Sequence, residues 1–198
     1  MTNRQQLRHQ LRHLRQQITV AKKRIASEML VKQVTHLPIF QNANHIACYL
    51  SNDNEIDPYP ILELAWSLGK HCYLPVLNTS PENKLTFMSY HKNDSLNLNR
   101  YKIPEPLPEK SQVKHPEELD IIFIPLVGFD IKGNRLGMGA GYYDRTLESL
   151  KTGAHIKKPY LIGLAYELQR VAAIPCESWD VALDIIITEQ NIYKIGAL

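Results

Sequence analysis

Leu119-Asp-Ile-Ile-Phe-Ile-Pro-Leu-Val127, followed by Gly133-Asn-Arg-Leu-Gly-Met-Gly-Ala-Gly-Tyr-Tyr-Asp144, decides the fold of this chain. The first stretch is a nearly unbroken apolar run rich in isoleucine, the pattern of a strand buried on both faces. The second holds four of the nine glycines and leads into a helix over about 142–150. A buried strand that passes through a glycine-rich turn into a helix is one unit of an α/β fold. Further strands read outward from it at 45–51 (HIACYLS), 72–77, 159–166 (PYLIGLAY) and 183–188 (LDIIIT). Residues 58–68 read as a helix that Gly69 ends. Residues 84–90 alternate, which suits an antiparallel or edge strand. The expectation is α/β, with a mostly parallel (mixed) sheet and helices on both faces. Residues 93–116, with Pro104, Pro106, Pro108 and Pro116, read as a long surface loop, a kind of segment that often carries function.

At the N-terminus Leu7, Leu11, Leu14 and Ile18 recur at helical spacing beside Arg4, Arg8, Arg12 and Arg15. This predicts an amphipathic helix with an arginine stripe next to its apolar one. Thr19 can cap a second helix through about His36, which Pro38 closes. Residues 1–198 read as a single domain, with 1–36 a basic helical element packed on it. The net charge of +3 hides an asymmetry. Residues 1–24 hold seven basic side chains and no acid, leaving 16 basic against 20 acidic in the rest. A cationic helix on an anionic body points to an anionic partner. Of the seven, Arg12, Arg15, Lys22, Lys23 and Arg24 read as a solvated face.

Composition narrows the classes. No run of 18 apolar residues is present, and the basic N-terminus lacks a signal peptide's apolar core. Cys48, Cys72 and Cys176 are odd in number and scattered, which argues against a disulfide framework or a zinc site. Cys48 reads as a core residue. The expectation is a cytoplasmic monomer that binds neither nucleic acid nor membrane.

The glycine-rich segment sits where α/β folds bind ligands, beyond a strand's carboxyl end. Its glycines allow close backbone approach, the next helix offers N–H groups, and Arg135 adds a forked cation. It lacks both the Walker A lysine and the Rossmann spacing. A plain connection needs some glycine, but four with an arginine and a Tyr-Tyr-Asp exit point to a phosphate site. Asp144 is either a Mg²⁺ ligand or a first-turn acid favoured by the helix dipole. Asp184 reads better, from spacing alone, as a solvated strand-end residue than as a metal partner. Asp53, Glu55 and Asp57 gather at a strand's carboxyl end. They can receive a ring N–H or a cation, though Asp57 is well explained as a cap before Pro58.

Arg4-Gln-Gln-Leu-Arg8, Tyr49-Leu-Ser-Asn-Asp-Asn-Glu-Ile-Asp57 and the stretch from Pro125 to Arg145 resemble the 5-formyltetrahydrofolate cyclo-ligase (methenyltetrahydrofolate synthetase) family. The likeness runs from about residue 4 to 188, and the G-N-R-L-G-x-G-x-G-Y-Y-D block carries it. The resemblance implies ATP- and Mg²⁺-dependent closure of 5-formyltetrahydrofolate to 5,10-methenyltetrahydrofolate through a phosphorylated formyl (imino-phosphate) intermediate. It implies that Arg4, Arg8, Arg135, Leu136, Gly137, Met138, Gly139, Ala140, Gly141, Tyr142 and Tyr143 bind ATP. It assigns Leu50 and Glu55 to the reduced folate, and Asp144 and Asp184 to Mg²⁺. Arg135 and Tyr143 would be catalytic, Tyr143 touching both ligands. Some members carry a basic residue where this chain has Met138 and Ala140, which puts more weight on Arg4, Arg8, Arg135 and backbone amides. Two alternatives stay open: another nucleotide-dependent kinase or transferase on a related sheet, and a nucleic-acid-binding module led by the arginine helix.

Overall fold

The computed structural model describes residues 3–78, 83–108, 111–152 and 159–196. Two helices open the chain, α1 (Arg4–Gln16) and α2 (Val20–Thr35). Asn3 caps α1 by accepting the N–H of Gln5, and Thr19 caps α2 by accepting that of Lys22. Pro38 does not merely end α2; it opens a short α3 (Pro38–Asn42), where its fixed φ suits the first helical turn. Then come β1 (His45–Ala47), α4 (Tyr59–Ser67), β2 (His71–Leu77) and β3 (Leu85–Ser89). Asp57 accepts the N–H of Tyr59 at 3.1 Å, as its place before Pro58 suggests.

Residues 93–116 are not a plain loop. They contain β4 (Leu96–Leu98) and β5 (Pro104–Pro106), an antiparallel hairpin, and then β6 (Val113–Lys114). The prolines hid it: proline removes a ladder donor, so β5 does not read as a strand. Glu105 ties the hairpin to the main sheet by accepting the Leu77 N–H at 2.9 Å. The chain continues through β7 (Ile121–Pro125), the hairpin of β8 (Gly128–Phe129) and β9 (Arg135–Leu136), α5 (Tyr142–Leu147) and α6 (Ser149–Thr152). It closes with β10 (Tyr160–Leu164), β11 (Ile185–Ile187) and β12 (Ile192–Lys194).

Eight strands form the main sheet in the order β12-β11-β10-β7-β1-β2-β3-β6. β11, β10, β7, β1 and β2 run parallel, β12 and β3 run antiparallel to them, and β6 pairs antiparallel with β3 at the edge. The apolar run at 119–127 becomes the central β7, buried on both sides. Ile121 and Phe123 enter the core under α2, α3 and α4, with Leu30, Val34, Phe40 and Leu62. Ile122 and Ile124 enter the opposite core, with Phe129 and with Leu147 of α5. Burying each such side chain contributes about 1.5–3 kcal/mol.

The sheet's order reverses beside β1: the chain passes to β2 on one side, and β7 lies on the other. Such a switch point opens a crevice at the carboxyl ends of the strands.

The glycine-rich segment divides in two. Gly133 belongs to the tip of the β8–β9 hairpin, with φ +87°, and a Cβ there would lie 2.8 Å from the Leu183 carbonyl oxygen. It is a packing glycine. Gly133→Ala is therefore expected to lower stability by about 2 kcal/mol, through backbone strain and collision. Calorimetry should record a melting point several degrees lower, with the KM for ATP within about twofold of wild type.

Candidate active site

One cavity of about 890 Å³ lies over the carboxyl ends of β1, β2 and β7. That is the size of a small-molecule site. It collects Arg4 and Arg8 from α1, Leu50, Asp53 and Glu55 from the turn after β1, and Arg135 from β9. All of residues 137–144 reach it too. Among the residues that the resemblance assigns to ATP, folate or Mg²⁺, Leu136 and Asp184 alone do not line it. Leu136 is fully buried behind it, fixed by β8–β9 pairing.

The glycine loop is held by its carbonyls. Arg8 donates from Nε to the Gly137 oxygen at 2.8 Å, and Arg145 donates to that of Ala140. Among the described residues, the N–H groups of residues 137–141 donate to no protein acceptor. A row of uncommitted amides is a ready anion cradle. Gly139, at φ +109°, brings backbone under Arg8: a Cβ there would stand 3.6 Å from the guanidinium carbon. α5, by contrast, is only six residues long, so little macrodipole supports the cradle. The expected helix over 142–150 is split between α5 and α6.

Arg135 is not a loop cation reaching into solvent. Its side chain is 4% exposed, and its guanidinium donates to the Val181 carbonyl and, at 2.5 Å, to Asp144 Oδ1. Burial lowers its pKa, while the Asp144 charge opposes the shift. Arg4 makes a forked pair with Asp180 at 2.7 and 3.2 Å, which raises its pKa. Burial and the charge of Arg4 lower that of Arg8. Asp180 was invisible to sequence reading, because its partner lies 176 positions away. Trp179 and Tyr101, both exposed at the cavity rim, also lacked a local signal.

The Mg²⁺ pair expected of Asp144 and Asp184 does not assemble. Asp184 sits at the amino end of β11, with its carboxylate accepting the Leu161 N–H at 2.8 Å. The cavity lies at the other end of the parallel strands, so a residue opening a strand cannot face it. Asp144 does face it; Arg135 and the Val181 N–H both meet its Oδ1. A divalent ion could be met through Oδ2, and Mg²⁺ commonly takes one carboxylate with phosphate oxygens and waters. Of the two, Asp144 alone faces the cavity and fits that role. No group of three or more potential metal ligands occurs among the described residues.

Glu55 lies across the cavity. Its Oε2 accepts the Asn52 N–H at 3.0 Å. Burial pushes its carboxyl from 4.5 up to about 7, against the Asn52 N–H and the Arg15 charge and with help from Asp53. Near neutrality it therefore exists in both forms. Burial also raises Tyr143; the charge of Glu55 adds to the shift and that of Arg135 opposes it. The Tyr143 hydroxyl thus feels both the acid and Arg135. Tyr142 faces the other hairpin, its hydroxyl accepting from Arg100 and 3.4 Å from that of Tyr101.

The arginine stripe faces the body, not the solvent. Leu14 is 44% exposed, while Arg15 is 1% exposed. Arg12 and Arg15 both bind Asp53, and Lys23 donates to Asn54. Only Arg24 of that group makes an exposed surface pair, with Glu28. Among the described residues, no helix is long and apolar enough to cross a membrane.

Comparison with known proteins agrees with the resemblance. Residues 1–189 match the model of the 5-formyltetrahydrofolate cyclo-ligase family. The chain is 38% identical over 185 residues to the 5-formyltetrahydrofolate cyclo-ligase of Haemophilus influenzae, covering 93% of this chain and 97% of that one. It is 36% identical over 170 residues to that of Escherichia coli K12, covering 86% and 91%. Among solved structures, the Aquifex aeolicus 5,10-methenyltetrahydrofolate synthetase superposes with a TM-score of 0.82 at 28% identity, covering 98% of this chain and 93% of that one. The Mycoplasma pneumoniae 5,10-methenyltetrahydrofolate synthetase gives 0.74 at 25% identity, covering 95% and 99%.

Proposed function

We propose a mechanism for this site from one premise: the chain belongs to the 5-formyltetrahydrofolate cyclo-ligase family. It is an enzyme, a ligase that makes 5,10-methenyltetrahydrofolate from 5-formyltetrahydrofolate. The further reading is that ATP drives the closure and that Mg²⁺ assists.

A formamide oxygen is a poor leaving group, so ring closure needs it activated. Transfer of the γ-phosphoryl of ATP to that oxygen gives an imino-phosphate and ADP. N10 then attacks the former formyl carbon and loses its proton, phosphate leaves, and the five-membered ring closes. Phosphoryl transfer asks for positioning and charge neutralisation more than for covalent help from the protein.

The site is suited to that. The uncommitted amides of residues 137–141 and the guanidinium of Arg8 would hold the triphosphate. Arg4 would approach from the same helix. Arg135 would stabilise the charge developing on the transferred group and keep Asp144 in place. Mg²⁺, met by Asp144 and the phosphate oxygens, would supply further neutralisation. Leu50 and Glu55 would hold the folate, with Glu55 donating or accepting at its formyl or pterin polar atoms according to pH. Tyr143 would lie between the two ligands. The observation that carries this reading is that one cavity joins the amide-rich loop and its arginines to a half-buried acid on the opposite side.

The test is direct. Purified protein given ATP, Mg²⁺ and 5-formyltetrahydrofolate is expected to generate the methenyl chromophore, and omission of ATP to abolish it. No absorbance change with folded protein would overturn the reading. ATP turnover with a different acceptor would favour a kinase or transferase on the same sheet.

A further inference from the structure

The mechanism above uses Arg4 and Arg8 but not the rest of the stripe on α1. Arg15 is among the largest fully buried side chains of the protein. Its Nη2 donates to Asp53 Oδ2 at 2.7 Å and its Nη1 to the Leu126 carbonyl at 3.4 Å. Arg12 donates from Nε to the same Asp53 oxygen at 2.8 Å. Arg15 Nε is buried with no hydrogen-bond partner among the described residues. Burying an arginine is costly, and an apolar side chain would pack there more cheaply. The residue is therefore doing something besides filling space.

What it holds is a tight turn. Asp53 and Asn54 are both left-handed, at φ 48° and 58°, a conformation that Asp and Asn adopt more readily than other non-glycine residues. Side chains from the first two helices pin both: Arg12 and Arg15 on Asp53, Lys23 on Asn54. Glu55 follows directly. The turn closes on it twice, the Glu55 N–H donating to the Asn52 oxygen at 2.9 Å and the Asn52 N–H to Glu55 Oε2 at 3.0 Å. Asp53 and Glu55 line the cavity, whereas Arg12 and Arg15 do not.

We propose that Arg15 and Asp53 are a positioning pair for Glu55, by which α1 fixes the acid that meets the folate while its first two turns fix the cations that meet the triphosphate. The proposal rests on the functional reading given above. In α1, Arg4 to Arg15 span about 16 Å at 1.5 Å per residue. One rigid helix thus sets both sides of the cavity. The groups facing the Glu55 carboxyl are Arg15 of α1, Asp53 of its own turn, Tyr49 after β1 and Tyr143 of α5, with the Tyr166 hydroxyl 3.5 Å from its carbonyl. Arg15 opposes the upward shift of Glu55 and Asp53 adds to it, so the pair can be read through that carboxyl.

The experiment uses the full chain with Asp53→Asn and Arg15→Lys, and Asp53→Glu as the conservative rescue. Asp53→Asn is expected to raise the KM for 5-formyltetrahydrofolate about tenfold and to leave that for ATP within about twofold. Arg15→Lys keeps the charge but loses the fork, and should move the folate KM in the same direction. Asp53→Glu should recover most of the loss. Independently of turnover, carbon-13 NMR of the Glu55 carboxyl, assigned with Glu55→Gln, should titrate lower in Asp53→Asn than in wild type. If Asp53→Asn lowers only the melting point, with the folate KM and the Glu55 titration unmoved, the pair is a mere staple and the proposal falls. If wild type fails to turn over the formyl-folate, the functional reading falls, and the Glu55 titration alone still decides the pair.

Discussion

Arg135→Ala is expected to lower kcat by about 100-fold or more while the chain still folds. Two effects combine. Removing a fixed donor aimed at developing charge costs about 10²–10³ in rate. The same substitution strips the Val181 carbonyl of its guanidinium partner and leaves Asp144 with the Val181 N–H alone. A buried acceptor left unmet costs about 1–3 kcal/mol. Asp144 is 23% exposed, so water can take part of the load. The melting point should therefore drop by roughly 5 °C rather than collapse. Arg135→Lys should fall between, since one ammonium cannot reproduce the fork that spans Val181 and Asp144. The check is kcat measured well below the variant's melting point, with folding verified by circular dichroism. Wild-type turnover from folded Arg135→Ala would exclude the arginine from catalysis.

Glu55→Gln is the second large effect, and pH separates its parts. The carboxyl titrates near 7 in the folded chain and near 4.5 when exposed. Below about 4.5 it is protonated in both states. Above that, the unfolded chain releases the proton while the folded chain keeps it, so folding is progressively penalised as pH rises. The loss is complete once the pH passes 7 and amounts to as much as about 3 kcal/mol. Glutamine has no such dependence. The melting point of Glu55→Gln should therefore gain on wild type from pH 5 to about pH 7 and level off above it. Parallel curves would mean that Glu55 titrates normally. In kinetics, the variant should raise the KM for 5-formyltetrahydrofolate by about tenfold or more, with a smaller effect on ATP. An equal effect on both substrates would place Glu55 elsewhere in the reaction.

Much of the scaffold was legible residue by residue. Apolar runs marked β7, β10 and β11 because a strand buried on both faces tolerates almost no polar residue. The Thr19 cap and the 3.6-residue period marked α1 and α2. The β4–β5 hairpin was not legible, since its two prolines disguise a strand whose pairing needs few donors. The edge strand β12 was missed as well, being three residues with little apolar pattern.

By itself, the sequence determined a buried parallel sheet, a basic helix and a glycine-rich block resembling one enzyme family, because periodicity, apolar runs and local motifs are properties of neighbouring residues. Only the tertiary structure decided what the charges do. It turned α1 so that Arg15 is buried and Leu14 exposed, moved Asp184 to the wrong end of its strand for the cavity, and supplied Asp180 as the partner of Arg4. A guanidinium takes whichever carboxylate the topology brings within 3 Å, and here those carboxylates lie 38 and 176 positions along the chain. No local pattern encodes such pairings; the order of strands in the sheet does.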